Sequence, residues 1–552
     1  MSEFLGHSFV FKNPEELTEL RQTAADFYRV NRVPEHLERA LNELLTRRPS
    51  DLHGYLAEFF SALSCPPRIS RVQGLEVLDS RGQPSVLAQV YCIVRNHEKL
   101  VSSAAVASNF RAKDGESRER ENVNHALTWI HHLNQQLQDL SPEDQNHVDL
   151  ILSEFYSSRL VDLSESCSKL DDSSSTSLSN TTDAQGPGNR RGKKGSAVRP
   201  PPPPEPPELL VPGGLCVGAL SLSVARGGAQ SRGVALYQHI AQLKNPHPPV
   251  APHLPVPSVL VSVLSCGKTA PGKLHLFEEV LLIPRPGLRA SQVVQAAQDV
   301  QREMQRILGA QSKTGAFGAL LSDCGAPCLS AEKVEQPLEL LSDACANLDL
   351  RLGQELYVGL SCAAPALYDH VRCKYEVCSG LLKSPDELVD LLQNLILKFP
   401  SVVTVIDPLR REDVEQWERL SSSVSSSCSL LSDVTFRAGA PPPPGVRGHV
   451  LKHADHVTVS DLIRASVEQE ACAGSVLLGP AHSEPASDSA LPDLAVGLGL
   501  DFVKLGGLSG AERSSRYNRL LAIEDELQRD GRLIFRDELR PPIFPQRPDK
   551  DQ

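Results

Sequence analysis

The sequence predicts an α/β fold, in which a (β/α)8 barrel over residues 251–540 follows an α+β domain and a small all-α module. Three observations predict this arrangement. From Leu254 onward, short apolar strands alternate with helices and short loops. An apolar strand beginning at Phe502 carries Lys504 and leads into a glycine loop and a helix, the order required at a barrel mouth. Apolar residues recur at helical spacing within residues 15–62, which predicts helices there.

The all-α module occupies residues 15–62. Val33 and Pro34 open one predicted helix, and Ser50 or Asp51 is the expected N-cap of another. Because two such helices cannot bury their apolar faces alone, we expect pairing with a second copy. The pattern resembles the dimerisation-and-docking modules of kinase regulatory subunits and flagellar proteins, which implies a dimer whose groove accepts an amphipathic helix of a flagellar or anchoring protein. A hairpin packed on its own protein is the alternative.

Residues 66–250 are expected to form the α+β domain. Leu78-Asp-Ser-Arg-Gly-Gln-Pro-Ser-Val86 reads as a turn between two apolar strands, and a helical pattern begins near Trp129. A Ser/Pro-rich segment at 163–212 interrupts this domain. Its composition cannot bury enough apolar surface to fold, so we predict a disordered, solvated insert.

Composition and charge argue against several classes of protein and of site. The net charge is −12, and lysine and arginine do not gather into one stripe, which argues against nucleic-acid binding. The 13 cysteines lack a repeated spacing and are interpreted as reduced thiols, and the isolated pair Cys324 and Cys328 does not predict a zinc site. Because no secretory signal and no apolar run of about 18–20 residues occurs, we expect a cytoplasmic protein with no membrane partner.

Four segments resemble the enolase family. Phe502-Val-Lys-Leu-Gly-Gly-Leu-Ser-Gly-Ala-Glu-Arg513 is similar to its C-terminal signature, and the turn at 78–86 is similar to "LDSRGNPTVEV". His449-Val-Leu-Lys452 resembles "LLLKVNQ", and the segment from Leu276 to Pro284 resembles "LQEFMIAP". This resemblance covers residues 66–162 and 213–535. It implies an enolase-like barrel with an α+β capping domain, and the glycolytic conversion of 2-phosphoglycerate to phosphoenolpyruvate and water.

The resemblance also implies three site residues. Lys452 falls on the family's general base and is the expected catalytic residue, whereas Glu279 and Lys504 fall on substrate-binding positions. Two ammonium groups beside one pocket suit an anion, so 2-phosphoglycerate or a similar anion is the expected ligand.

The family's magnesium positions carry other residues in this chain. They fall on Ser361, Ile406 and Ser432, where the family has carboxylates. Isoleucine offers no oxygen, and serine hydroxyls are poor substitutes for carboxylates around Mg²⁺. Asp407 and Asp433 come one residue later, where strand alternation is expected to point them to the other side, although a shift of register by one residue would return one of them to the site. We therefore expect no magnesium in the family's geometry.

Other parts of the family's active site are also replaced. The acid glutamate of "GDEGG" falls on Cys324, and the loop histidine of "NGGSHAGG" falls on Ala270. The histidine and arginine of "SHRSGE" fall on Ala481 and His482. In the family, two magnesium ions stabilise the enediolate formed when a lysine removes a proton next to a carboxylate. Without those charges, the sequence predicts a weak or inactive enolase.

Two functions remain open at this point. One is an altered enolase that uses Lys452 as base. The other is a non-catalytic flagellar scaffold, an enolase-shaped body dimerised through residues 15–62. The whole chain resembles a divergent, testis-type branch of the family, which implies a role in energy metabolism and organisation of the sperm flagellum or a cilium. A heteromer in which another enolase supplies the activity fits both.

Overall fold

The chain divides into two compact units. A computed structural model describes residues 14–108, 116–174, 211–246, 253–311, 320–362, 364–433, 442–471, 475–480, 484–486 and 488–534. The first unit comprises residues 1–67 with the turn at 94–97, and the second comprises residues 68–93 and 98–552. None of the described helices is long and apolar enough to cross a membrane.

The first unit consists of three helices, α1 (Pro14–Val30), α2 (Val33–Arg47) and α3 (Leu52–Ala62). Asp51 is the N-cap of α3, because its carboxylate accepts a hydrogen bond from the amide of Gly54 at 2.9 Å. Helix α1 precedes the two helices that the sequence singled out. Among the side chains described in these helices, only that of Ala40 is buried.

The second unit begins with a three-stranded sheet in the order β1 (Arg68–Leu78), β2 (Pro84–Val94) and β3 (His97–Ala105). The predicted turn joins β1 to β2. The Asp79 carboxylate stabilises it by accepting hydrogen bonds from the backbone amides of Arg81 and Gln83, both at 2.8 Å. Helix α4 (Glu116–Leu137) packs so closely on β1 that a Cβ at Gly74 would lie 2.8 Å from two of its side chains. Glycine is needed there for the helix to approach the sheet.

Three further helices complete the α+β region, namely α5 (Gln145–Ser174), α6 (Leu215–Arg232) and α7 (Leu236–Lys244). Helix α5 continues through residues 163–174, so the prediction of a disordered insert from residue 163 is wrong for its first part. Adding residues to an existing helix is far easier than starting one, which explains the longer helix. Residues 175–210 lie outside the described part of the chain.

The remaining elements build a closed barrel and its covering helices. The strands are β4 (Leu254–Pro255), β5 (Ser258–Cys266), β6 (Phe277–Pro284), β7 (Leu356–Cys362), β8 (Tyr368–Asp369), β9 (Lys374–Cys378), β10 (Leu381–Lys383), β11 (Val402–Ile406), β12 (Ser429–Ser432), β13 (Val446–Leu451), β14 (Ser475–Leu478), β15 (Phe502–Gly506) and β16 (Leu533–Ile534). The helices are α8 (Ala290–Gln311), α9 (Gln336–Asn347), α10 (Pro385–Lys398), α11 (Val414–Val424), α12 (Val459–Ala471), α13 (Ala490–Gly497) and α14 (Ala511–Arg529).

Strands β5–β7 and β11–β15 form the barrel, which confirms the predicted fold class. Strand β6 departs from the regular alternation, since it runs antiparallel to both β5 and β7 while the other pairs are parallel. The connection over residues 267–276 contains no helix, and parallel pairing requires a crossover of a dozen or more residues. The start of β6 therefore lies at the same end of the barrel as the carboxyl ends of its other strands.

An apolar layer fills the barrel interior. Every barrel strand contributes to it, through Leu260, Leu281, Ile283, Tyr357, Val403, Ile406, Leu431, Val450, Leu477 and Phe502. Side chains two residues apart on a strand share a face. Residues two positions beyond this layer on the parallel strands, and two positions before it on β6, therefore face the mouth of the barrel. That end is where barrel proteins place their functional side chains.

Candidate functional site at the barrel mouth

The barrel brings together all three site residues that the sequence predicts. Lys452 and Lys504 lie two residues beyond Val450 and Phe502, and Glu279 lies two residues before Leu281 on the antiparallel strand β6. Lys504 Nζ is 2.6 Å from Glu279 Oε1. The charge of Lys452 also acts on Glu279, so the three charged groups lie near one another at the barrel mouth.

Glu279 and Lys504 form a buried ion pair. The hydroxyl of Ser262 donates a further hydrogen bond to the Glu279 carboxylate. Burial alone would raise the pKa of Glu279, but the charge and hydrogen bond of Lys504, with the Ser262 hydroxyl, hold it below its usual value. Burial alone would lower the pKa of Lys504, but the charge of Glu279 outweighs the effect of burial and raises the pKa of Lys504. Both groups therefore stay charged.

Lys452 forms a second ion pair at the mouth, with Asp433. Its Nζ is 2.6 Å from Asp433 Oδ2, and the two side chains are 19% and 26% exposed. The expectation that Asp433 points away from the pocket is wrong. Asp433, and not Ser432, lies two residues beyond the interior residue Leu431, so it continues the inward face of its strand into the mouth.

Asp407 also lies beside the pocket, against expectation. Ile406 ends β11 inside the apolar layer, and Asp407 then adopts a left-handed conformation (φ 48°), so strand alternation no longer determines its direction. Asp407 Oδ1 accepts hydrogen bonds from the amide of Asp433 at 2.9 Å and from the hydroxyl of Ser432 at 3.1 Å. Burial, and then the charge of Asp433, raise the pKa of Asp407 to about 7. Asp407 thus anchors the backbone that carries Asp433.

The donor set at the mouth does not fit magnesium in the family's geometry. Ser361 is paired with Glu279 on β6 and with Ile406 on β11. Of the two ligand positions Ser361 and Ile406, only Ser361 has a side-chain oxygen, its hydroxyl. The third, Ser432, donates its hydroxyl hydrogen to Asp407. Asp433 is paired with Lys452. Across the described ranges, no group of three or more histidine, cysteine, aspartate or glutamate side chains could hold a metal ion.

Cys324, at the position of the family's acid glutamate, lies close to the buried ion pair. Burial, with a contribution from the charge of Glu279, raises the pKa of its thiol to about 12. Its Sγ lies 3.0 Å from the hydroxyl oxygen of Ser322. A thiol with this pKa is a much weaker acid than a carboxylic acid. The positions predicted at Ala481 and His482 lie outside the described residues.

Sequence reasoning missed Ser262 and assigned Asp407 and Asp433 to the wrong side of their strands. For two of them a signal existed. Ser262 follows the interior residue Leu260 by two positions, and Asp433 follows Leu431 by two, so counting from the apolar layer would have found both. No local pattern predicts the left-handed conformation of Asp407.

Comparison with known proteins agrees with this geometry. Residues 251–540 match the family model described as the enolase C-terminal TIM barrel domain. The chain is 41% identical to enolase 4 of Danio rerio, over 95% of this chain and 94% of that protein. It is 39% identical to enolase 4 of Xenopus laevis, with the same coverage, and 34% identical to enolase 4 of Homo sapiens, over 95% of this chain and 90% of that protein. With its barrel, its lysines at the mouth and these relatives, the chain belongs to the enolase family.

Proposed function

We propose that this chain is weak or inactive as an enolase and that it serves as an enolase-shaped body in the energy metabolism and organisation of the sperm flagellum. One observation carries the catalytic part of the proposal. The mouth holds Glu279, Lys452 and Lys504, but carboxylates engage both ammonium groups and the magnesium positions lack carboxylates.

The chemistry of the family explains why this arrangement is unfavourable. Removing a proton next to a carboxylate builds up negative charge, which magnesium stabilises in the family. Lys504 is held by Glu279, and Lys452 is held by Asp433. Cys324, with its raised pKa of about 12, is a poor donor to a leaving hydroxide. Each loss of about 1.36 kcal/mol in transition-state stabilisation slows a reaction about tenfold, so these replacements together predict little turnover.

An enolase with unconventional ligands is the second candidate. The convergence of Lys452, Lys504 and Glu279 on one pocket favours it, because the family uses these positions for its base and its substrate. Lys452 is 19% exposed and therefore accessible to a small anion such as 2-phosphoglycerate. A heteromer with an active enolase is consistent with either candidate.

The exposed face of α2 supports self-association of the chain. Leu37, Leu41 and Leu45 recur every four residues and are 49%, 63% and 70% exposed. A stripe of this kind is the pattern through which helices pair. We propose a homodimer formed through residues 15–62, whose groove binds an amphipathic helix of an anchoring protein in the flagellum. This part of the proposal rests on the resemblance to docking modules and on these exposed leucines.

Phosphoenolpyruvate formation by the purified chain tests the catalytic proposal. The assay uses saturating 2-phosphoglycerate and Mg²⁺, with Lys452→Ala as the control. We expect turnover no different from that of the control. Turnover that disappears in Lys452→Ala would overturn the proposal and establish an enolase with unconventional ligands.

A further inference from the structure

Two helices of the first unit carry apolar stripes that remain exposed. On α1, Leu20 and Phe27 lie on one side of the helix, and both are exposed. On α2, Leu37, Leu41 and Leu45 form a second exposed stripe. Apolar side chains at this spacing form a face that packs against another helix. The chain therefore presents two helical faces of the same chemistry, and each needs an apolar partner.

Helix α3 packs on a different side of α2. That side carries the buried residue Ala40 and also Glu43, whose carboxylate accepts a hydrogen bond from the hydroxyl of Tyr55 on α3 at 3.0 Å. Successive residues of an α-helix are turned by about 100°, so Leu41 and Leu45 each lie about 160° from Glu43 around the helix axis. The leucine stripe of α2 thus faces away from α3 of its own chain.

The charged side of α1 is separate from its apolar stripe. Arg29 Nη2 is 2.9 Å from Asp26 Oδ1, and this ion pair lies on the side of the helix remote from Leu20. Gln22 lies on the same polar side. The apolar side of α1 is therefore the one available to a second helix, and its polar side can stay in water.

The connection between α1 and α2 consists of the turn at residues 31 and 32. Arg32 adopts a left-handed conformation (φ 49°, ψ 37°), which is unfavourable for a residue other than glycine. Within one chain this connection leaves the stripes of both helices exposed. Short, strained connections favour the exchange of an element between two copies of a chain.

We propose that α1 of each chain packs on the leucine stripe of α2 in a second copy, so that two chains associate by exchanging their first helices. The inference rests on the proposed self-association through residues 15–62, and it names the segments that form the interface. Helices joined by a short turn are antiparallel neighbours in a hairpin, and an exchanged helix keeps that direction. Leu20 then lies opposite Leu45 of the second copy, and Phe27 lies opposite Leu37.

A second copy matches these stripes in length and in symmetry. At about 1.5 Å per residue, Leu20 and Phe27 are about 10 Å apart along α1, and Leu37 and Leu45 are about 12 Å apart along α2. The two stripes therefore cover each other over nearly their whole length. Two copies form two identical contacts about a twofold axis, so both stripes of both chains are covered and the assembly closes.

Sedimentation equilibrium of the full chain tests the inference. The double substitution Leu20→Asp and Phe27→Asp places charge in the proposed interface. We expect it to weaken self-association at least about tenfold, as Leu41→Asp does in α2. Gln22→Asp, on the polar side of α1, is the matched control and is expected to change association by less than about twofold. The melting temperature of the barrel establishes that each variant is folded.

The outcomes separate this inference from the proposed dimer. If Leu41→Asp weakens association and the double variant of α1 does not, the exchange of α1 is wrong and the proposed dimer stands. If neither variant weakens association, both are wrong. If only the α1 variant weakens it, the stripe of α2 is not the partner of α1, and the inference is wrong as well.

Cross-linking tests the pairing itself. Chains with Leu20→Cys are mixed with differently tagged chains that carry Leu45→Cys, and a bismaleimide is added; we expect a product of doubled mass that contains both tags. Leu20→Cys mixed with Leu37→Cys should give no more of this product than unmodified chains, which control for the exposed Cys65. A cross-link only within one chain that carries both substitutions, or only between two Leu20→Cys chains, would overturn the exchange.

Discussion

The N-terminal helices and the barrel use the same kinds of apolar residue in opposite ways. In the barrel, Leu281, Leu431 and Phe502 are buried against side chains from the other strands. In the helical unit, Leu41 and Leu45 are more than half exposed. A closed barrel supplies every strand with neighbours from its own chain, whereas short helices lack enough partners of their own. An apolar pattern therefore identifies which face of an element will be buried, but it does not identify the molecule that buries it.

The first prediction tests whether a buried ion pair of the barrel contributes more to the free energy of unfolding than an ion pair on its surface. Lys504→Met leaves the carboxylate of Glu279 buried without its partner, so we expect a loss of about 3–5 kcal/mol in the free energy of unfolding. The control Lys398→Met breaks an exposed pair with Glu339 and is expected to leave the free energy of unfolding nearly unchanged. Urea unfolding measures both. Equal losses would contradict the buried pairing of Lys504.

The second prediction compares one leucine from each region. Leu281→Ala opens a cavity inside the barrel and is expected to lower the free energy of unfolding by about 2–5 kcal/mol. Leu41→Ala is expected to change the barrel transition by less than about 0.5 kcal/mol, and to weaken self-association of the chain. Urea unfolding and sedimentation equilibrium provide the two measurements. An unchanged association constant in Leu41→Ala would remove α2 from the proposed dimer interface.

The third prediction concerns a buried histidine of the second unit. His239 is fully buried, and neither ring nitrogen has a hydrogen-bond partner among the residues that the structure describes. Burial, and then the charge of Arg232, lower the pKa of His239 to about 4. The unfolded chain takes up a proton near pH 6.5 and the folded chain does not, so stability is lost as the pH falls from 6.5 towards 4. We expect His239 to account for a loss of about 2 kcal/mol between pH 7 and pH 5.

The matched variants for this prediction are His239→Leu and His132→Leu, the latter at an exposed histidine of α4. Replacing a buried group that has no hydrogen-bond partner by an apolar one is expected to be neutral or stabilising at pH 7. His239→Leu should therefore reduce the decline between pH 7 and pH 5, and His132→Leu should leave it unchanged. A decline of the same size in all three proteins would contradict the assignment to His239.

Much of the site was predictable because strand ends meet at one end of a barrel. Lys452 directly follows an apolar strand and Lys504 lies within one, and a barrel brings such residues together whatever their separation along the chain. Asp433 was assigned to the wrong side because the counting started from Ser432 and not from the interior residue Leu431. Strand alternation predicts that residues two positions apart share a face, but it does not say which face is inside. Only the packed barrel identifies which residues of each strand face inward.

The amino-acid sequence is sufficient to predict the barrel, the α+β domain before it, the turn at Asp79 and the two lysines at the mouth, because these follow from local periodicity and from segments with a recognisable order. Only the folded chain reveals the antiparallel course of β6, the left-handed turn at Asp407 and the two ion pairs. The buried ion pair joins groups far apart in the chain, Glu279 and Lys504. Their distances and charges are defined only when the barrel closes.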